Sequence, residues 1–441
     1  MGYPESERHQ QDGQSGKDRL YIIITGANSG IGLGIATRIL FQLAFTSSST
    51  APPPDSLPQQ ALLQFTSPDT GSSDLSCPFV NNSGITLILA CRSKSRALEA
   101  RGILFTRLRA ECRNRGLKDS EGEKIVNKVE IVWEALDLSE MRSVSTFVDN
   151  VKTNYPYVTH LFNNAGVGAW AGIHWPSAFF ECLTDPIKGM TDPEFKKQYQ
   201  GWKSEKDGLG WVWQCNVFSH WCITKALLPH IQRSPFHSPR IIWTSSLLGS
   251  NAPKLNLSDL QCIESLRSYE ESKRQVDLLC ASLDRELASQ PLGIRCITGD
   301  PAVTATEIFR PQLGFWLYQA MMFAFYFVRL VCNSQNHPIS PMNGTITFVH
   351  LALLSASLIP TPSSSFPSSS TSKAESPTTP TDPPHTQQAF KFRSQADRWG
   401  NPYVSVVQFE WDEVEAGKLV DYMENLRQVW GKALGGLGYQ S

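Results

Sequence analysis

Leu20 to Ile24 is a continuous apolar run that ends in Thr25-Gly26 and leads through Asn28-Ser29-Gly30-Ile31-Gly32 into helical spacing as far as Leu43. No other feature restricts the fold of this chain as much. An unbroken apolar run of that length predicts a strand covered on both faces, the habit of parallel sheets. Glycines placed where the strand gives way to a helix predict a tight turn. Gly26 permits the bend, and Gly30 lets a phosphate approach the free N–H groups of the helix N-terminus. An ordinary strand–helix turn also fits these glycines taken alone.

The alternation continues. Further strands are predicted at Ile85–Cys91, Val129–Leu136, His160–Phe162, Arg240–Thr244 and Gly293–Ile297, and helices at Ser95–Arg115, Met141–Asn154, Leu209–Leu228 and Tyr269–Ala288. Such a series predicts an α/β fold: a Rossmann-like, doubly wound parallel sheet in one domain over residues 20–310, with disordered insertions and a C-terminal apolar helical extension. Residues 47–83 and 361–387 are rich in Ser, Thr and Pro without periodicity, and are expected to stay disordered. Residues 1–19 read as a polar tail, 311–360 as apolar membrane-associating or substrate-entry helices, and 388–441 as a C-terminal helical segment. The most apolar stretch, Phe315 to Cys332, carries one charge, Arg329. It fits a buried helix, a membrane-surface helix with Arg329 snorkelling or, at the limit of its length, a full span.

Composition removes other classes. Forty Lys and Arg against 41 Asp and Glu leave a net charge of −1 with no basic block, so no nucleic-acid partner is expected. The ten cysteines form no C-x-x-C pair and no zinc spacing with His. Cys91, Cys280 and Cys296 lie in apolar runs, where reduced thiols act as small core side chains, so no metal is expected and a reducing compartment is. The polar start has no secretory core. Met1-Gly2 to Ser6 meets the loose myristoylation pattern, with bulky Tyr3 and Pro4 against it.

Tyr269 and Lys273 fall four apart on a predicted helix and so share a face. A free phenol with a pKa of about 10 is a poor acid at neutral pH. A nearby ammonium is expected to lower that value, and Lys273 also suits a ribose hydroxyl. Ser245-Ser246 follow the Arg240–Thr244 strand, placed to donate to a carbonyl oxygen as it gains charge. Asn216, inside the preceding helix, suits a water that links Lys273 to solvent. Arg92 and Lys94 close the second strand, where a cation matches the 2′-phosphate of NADP and an acid would match NAD. NADPH is therefore the expected cofactor, although Arg92 also fits a solvated helix start. Asp137 fits an adenine contact or a helix N-cap. A Tyr–Lys pair in isolation also fits an ordinary surface pair.

Taken together, T-G-x-x-x-G-I-G, N-N-A-G from Asn163, the helix bearing Asn216, the Ser-Ser pair and Y-x-x-x-K resemble the short-chain dehydrogenases/reductases over about Leu20 to Thr306. The resemblance implies a catalytic tetrad of Asn216, Ser246, Tyr269 and Lys273. It implies a cofactor site of Gly26, Asn28, Ser29, Gly30, Ile31, Gly32, Arg92, Asp137, Asn163, Tyr269, Lys273, Val303 and Thr304. The stretch from Asn163 to Trp221, with IIWTSS and YEESKRQVDLL, is similar to the fungal 3-keto-steroid reductases of ergosterol synthesis. That branch implies NADPH-dependent reduction of a sterol ketone to its 3β-alcohol after C-4 demethylation. It also implies partners, the sterol C-4 methyl oxidase and C-3 decarboxylase, and a membrane surface at the endoplasmic reticulum (cytosolic face) and lipid droplets. The same residues fit a membrane-associated reductase of retinoid or acyl-chain carbonyls, or a catalytically silent scaffold. Trp170, Trp175, Phe179 and Phe180 are expected to line an apolar pocket, or to pack as plain core. Two departures stand out: a long interval from Asn251 to Ser268, expected to shape the pocket, and Pro301-Ala302 where the family has Pro-Gly.

Overall fold

The computed structural model describes residues 18–45, 77–79, 81–305, 310–362 and 386–437. Most of the two Ser/Pro-rich stretches and of the N-terminal tail falls outside these residues.

Eight strands form the central sheet: β1 (Leu20–Thr25), β2 (Ile85–Cys91), β3 (Val129–Ala135), β4 (His160–Asn163), β7 (Arg240–Thr244), β8 (Arg295–Asp300), β9 (Thr386–Ala396) and β10 (Pro402–Asp412). A separate small hairpin pairs β5 (Trp170–Ile173) with β6 (Lys196–Gln198). The order across the sheet is β10-β9-β8-β7-β4-β1-β2-β3. Strands β1 to β8 in that row run parallel, as the apolar runs require. Every residue of β2 is buried, because helices cover both faces. The order reverses between β1 and β4, and open α/β sheets bind ligands in the crevice at such a switch point.

The predicted elements over residues 20–300 are all observed to within a few residues, but the chain adds helices at Asp119–Val126, Trp175–Thr184, Pro186–Thr191 and Leu247–Ser250 and the β5–β6 hairpin, none of which the sequence pattern placed. Beyond residue 300 the expectation fails in two places. Residues 388–441 were expected to be helical. Most of 386–412 is instead a long antiparallel hairpin, β9 with β10, and only Glu413–Leu434 is helix. Alternating Phe390, Phe392, Val404 and Val406 carry the strand period, which short-range helical spacing does not explain. Residues 311–360 were expected to be apolar membrane-associating or substrate-entry helices throughout. Ile346–Leu353 is instead entirely buried, with Phe348, Val349 and Leu351 in the core beneath the sheet. Arg310–Leu330 is the helical part that stays largely at the surface. It is kinked at Gly314, whose φ is 65°. Arg329 does not snorkel: it is buried, with its guanidinium against Gly400 and 5.0 Å from the Tyr326 ring centre. Among the described residues, no helix is long and apolar enough to cross a membrane.

Candidate active site

The glycine turn is made of backbone. Gly26 and Gly30 take φ of 67° and 51°, in the left-handed region where a side chain is strained. A Cβ on Gly32 would lie 2.3 Å from the Gly26 carbonyl oxygen, so only glycine lets the helix start this close to the turn. Ser29 stands at the N-cap of Gly30–Leu43 without a side-chain cap bond, which leaves the first helical N–H groups free for an anion. Asn28 is half-buried beside it, and Ile31 packs its side chain on the core below the sheet. The turn is tied to the end of β4 by Asn164, whose Nδ2 donates to the Thr25 carbonyl at 2.9 Å, while the Thr25 hydroxyl accepts from Asn164 and Ala165 N–H. Asn163 itself faces away: its amide donates to Thr224 at 2.9 Å.

Arg92 is exposed at the end of β2, with no ion pair among the described residues. Lys94 rests over the Trp133 ring at 5.6 Å. Asp137 closes a local turn, accepting from the Ser139 N–H and hydroxyl, and is not the N-cap of the next helix, which is Glu140. Val303 and Thr304 are clamped by the segment that follows the Arg310–Leu330 helix: Val303 N–H donates to Asn336, Ile339 N–H donates to Val303, and Thr304 bridges to Ile339. Ala302 takes φ of 52°. The family's glycine at this place therefore answers to backbone conformation, since a Cβ in the left-handed region costs about 1–2 kcal/mol.

Asn216 lies in a single π turn, Gln214–Phe218, inserted between Trp211–Trp213 and the helix Ser219–Ile231. Such a bulge turns the side chain out of the regular helical row. Its Oδ1 accepts from Val167 N–H at 2.8 Å, and its Nδ2 donates to the Val167 carbonyl and to Ser272 Oγ. A Cβ on Gly166 would lie 3.2 Å from Asn216 Oδ1 and 3.7 Å from Lys273 Nζ, so the glycine keeps open the space between the two. Lys273, buried on the helix Ser268–Ala288, donates from Nζ to the Thr244 carbonyl at 2.7 Å. Ser246 hydrogen-bonds the Tyr269 phenol. The structure thus gathers Asn216, Ser246, Tyr269 and Lys273 beside the open end of the sheet.

Burial pushes the Tyr269 phenol up to about 12 against the lowering effect of the Ser246 hydrogen bond. The expectation that Lys273 acidifies Tyr269 is therefore corrected: Nζ stands 5.7 Å from the ring centre and is turned toward Thr244. Burial lowers Lys273 to about 8, with Asp277 and Asp300 opposing it. Both side chains hold their neutral forms more readily than in water, which suits a proton donor and a cation that loses its proton easily.

Residues outside the motifs complete the site. Gln198, on the β5–β6 hairpin, accepts from the Tyr269 N–H and the Ser268 hydroxyl and donates to Glu270, so it caps the helix Ser268–Ala288. Trp170, on the same hairpin, lies 5.4 Å from the Tyr269 ring. Trp175, Phe179 and Phe180 are exposed, which excludes the plain-core alternative for those three. The Asn251–Ser268 interval packs beside the hairpin and the last helix, through Gly201 N–H to Ile263 and Gln261 to Tyr422. Lys391, on β9, is fully buried, 2.8 Å from Asp277 Oδ2 and 3.1 Å from the Ser246 carbonyl oxygen. Removing one partner of such a buried ion pair typically costs about 3–5 kcal/mol, because the other charge is left uncompensated. Gln198 and Lys391 carry no motif, so only their positions in the fold reveal them.

The short chain dehydrogenase family pattern matches residues 110–313. A 3-keto-steroid reductase of Schizosaccharomyces pombe is 32% identical over 76% of this chain and 82% of its own length. The chain belongs to the short-chain dehydrogenase family. The 3-keto-steroid reductase of Eremothecium gossypii is 27% identical over 80% of this chain and 87% of its own. That of Candida albicans is 30% identical over 74% of this chain and 78% of its own. As a short-chain dehydrogenase the chain is an oxidoreductase that takes a nicotinamide cofactor. Its residues fit one: the glycine cradle has no room for any Cβ at position 32, and the uncapped helix N-terminus behind it presents N–H groups to a pyrophosphate.

Proposed function

We propose that this short-chain dehydrogenase is an NADPH-dependent 3-keto-steroid reductase, converting the C-3 ketone of a C-4-demethylated sterol to the 3β-alcohol in ergosterol synthesis. The single observation that carries the reading is the convergence of Tyr269, Ser246, Lys273 and Asn216 at the crevice beside the glycine turn, in a chain similar to three named 3-keto-steroid reductases. When bound, the cofactor supplies the hydride. Gly26, Asn28, Ser29, Gly30, Ile31 and Gly32 would hold its pyrophosphate side, with Asp137, Val303 and Thr304 along the adenine and nicotinamide edges, while Asn163, turned toward Thr224, would hold the end of β4 in place. Arg92, exposed and without an ion pair among the described residues, suits a 2′-phosphate.

Tyr269 keeps its proton until the substrate oxygen gains charge, and then gives it up. A general acid of this kind contributes about 10²–10⁴-fold. Ser246 donates to the same oxygen. Lys273 leaves the Thr244 carbonyl for the ribose, and its ammonium then stabilises the phenolate left behind. A water in the space kept open by Gly166 returns the proton past Asn216. Trp170 forms one wall beside Tyr269.

The apolar substrate implies an apolar approach. Phe179, Phe180 and Leu183 are exposed on the helix Trp175–Thr184, and Phe315, Trp316 and Phe323 on Arg310–Leu330. The two helices are joined through Pro186–Thr191, which packs on both. An exposed aromatic face of this kind suits the surface of a membrane or lipid droplet. A place on the cytosolic face of the endoplasmic reticulum, beside the C-4 methyl oxidase and the C-3 decarboxylase, is part of this proposal and rests on the resemblance to the sterol-reductase branch. The test is NADPH consumption over a panel of 3-oxo sterols, with retinal and fatty aldehydes alongside, and with NADH and Arg92→Asp as cofactor controls. Turnover of the sterols with a preference for NADPH is expected. Turnover of the aldehydes alone, or a wild-type preference for NADH, overturns the respective part.

A further inference from the structure

Lys391 occupies an expensive position. Ala389, Lys391 and Arg393 alternate along one face of β9, interior to the sheet, and Lys391 is fully buried there. A buried ammonium needs a carboxylate and further acceptors to offset its lost hydration. It has both: Asp277 Oδ2 at 2.8 Å and the Ser246 carbonyl oxygen at 3.1 Å. Neither partner is remote from the chemistry. Ser246 hydrogen-bonds the Tyr269 phenol. Asp277 lies one helical turn beyond Lys273 on the same helix. Two residues further along β9, Arg393 holds Asp300 at 2.7 Å. The two carboxylates that favour the Lys273 ammonium are thus each gripped by a cation from one strand. That strand lies beyond the family match, which stops at residue 313.

We propose that Lys391 is a positioning residue for the reaction: it clamps the Ser246 backbone to the helix that carries Tyr269 and Lys273. The proposal rests on the tetrad reading given above. With the clamp in place, the serine hydroxyl and the phenol keep their mutual placement when a substrate oxygen enters between them. Without it the Ser246 turn loses a side-chain tether from the β9 strand, and a shift of about 1 Å is enough to cost about 100-fold in rate.

The experiment compares Lys391→Met, Asp277→Asn/Lys391→Met and Tyr269→Phe with the wild type in the full-length protein. Thermal melting, the dissociation constant of NADPH, and kcat and KM for a 3-oxo sterol are measured for each. Lys391→Met is expected to melt well below wild type. The double variant removes the uncompensated charge, so its melting temperature recovers. Its kcat is expected to stay about 10- to 100-fold down, with KM and NADPH binding within about threefold of wild type. Recovery of kcat along with melting in the double variant overturns the proposal, since the pair is then only a buried ion pair. So does a wild-type kcat in Lys391→Met. If Tyr269→Phe alone retains turnover, the tetrad reading falls instead. An inactive Tyr269→Phe beside a fully active Lys391→Met sinks the clamp and leaves the tetrad standing.

Discussion

The glycine turn and the surroundings of Tyr269 are built of different materials. From Gly26 to Gly32 the working groups are backbone N–H groups and missing Cβ atoms, with no side-chain cap at the helix start. Around Tyr269 the backbone is ordinary helix, and buried side chains set the arrangement: Gln198 with Glu270, Asn216 with Ser272, Lys391 with Asp277. A phosphate asks only for N–H groups and space. A proton donor needs its neighbours placed and its charge states biased, which takes polar groups held in low dielectric. The first region should therefore fail by steric change, and the second by loss of single functional groups.

The largest effect belongs to the second region. Tyr269→Phe should lower kcat by about 10²–10⁴-fold while NADPH still binds, as read by steady-state kinetics and cofactor fluorescence. Near-normal turnover would break the contrast. In the first region, Gly32→Ala should abolish measurable NADPH binding and lower the melting temperature, because its Cβ meets the Gly26 carbonyl at 2.3 Å. The added methyl costs about 1–3 kcal/mol or more. Gly102→Ala is the control: nothing lies within 4 Å of its Cβ on the exposed helix Lys94–Asn114, so it should raise stability by up to about 1 kcal/mol. Equal behaviour of the two glycine variants would remove the steric argument.

A third prediction concerns charge. Lys273 is held down to about 8 by burial, and the proposed mechanism uses its cationic form. The kcat/KM of the enzyme should therefore fall as pH rises past about 8, by roughly tenfold per unit. Stability runs the other way. Between about 8 and the unfolded value of about 10.4 the unfolded chain binds the extra proton, so stability attributable to this group rises with pH. Lys273→Met should thus raise the melting temperature most below pH 8, with the gain shrinking toward pH 10. A gain independent of pH would show that the side chain's size, rather than its charge, is costly. The smallest effect is Ala302→Gly, expected to add about 1 kcal/mol of stability by relieving the left-handed φ of 52°, measured by denaturant unfolding.

Sequence and structure agree best where a rule acts over short range. Apolar runs announced β1, β2 and β7, and helical spacing announced the helices that carry Asn216 and Lys273. The tetrad residues do converge, as their order along the alternation required. Three things stayed hidden for physical reasons. The π turn at Gln214–Phe218 is one inserted residue in a helix, and leaves no periodic trace. The raised value of Tyr269 depends on how much protein surrounds it, which a spacing of four residues does not contain. Strand β9 pairs with β8 across a long separation and β10 joins the sheet only through β9, so their sheet role depends on tertiary partners. Lys391 follows from that last point: a lysine flanked by phenylalanines reads as an exposed strand residue until its neighbours are known.

The helix Glu413–Leu434 lies across the two long helices that bear Asn216 and Lys273. Its Ala416, Leu419 and Met423 enter the same core as Trp213 and Trp221, and Glu424 accepts from the Trp221 indole. During synthesis those tryptophans leave the ribosome far ahead of their cover. At about 5–20 residues per second the gap lasts many seconds, during which a large apolar face stays open to solvent or to chaperones that bind such faces. Cells making this protein must guard the nascent chain over that interval, and shortages of such help should show first as aggregation of newly made copies rather than as loss of those already folded.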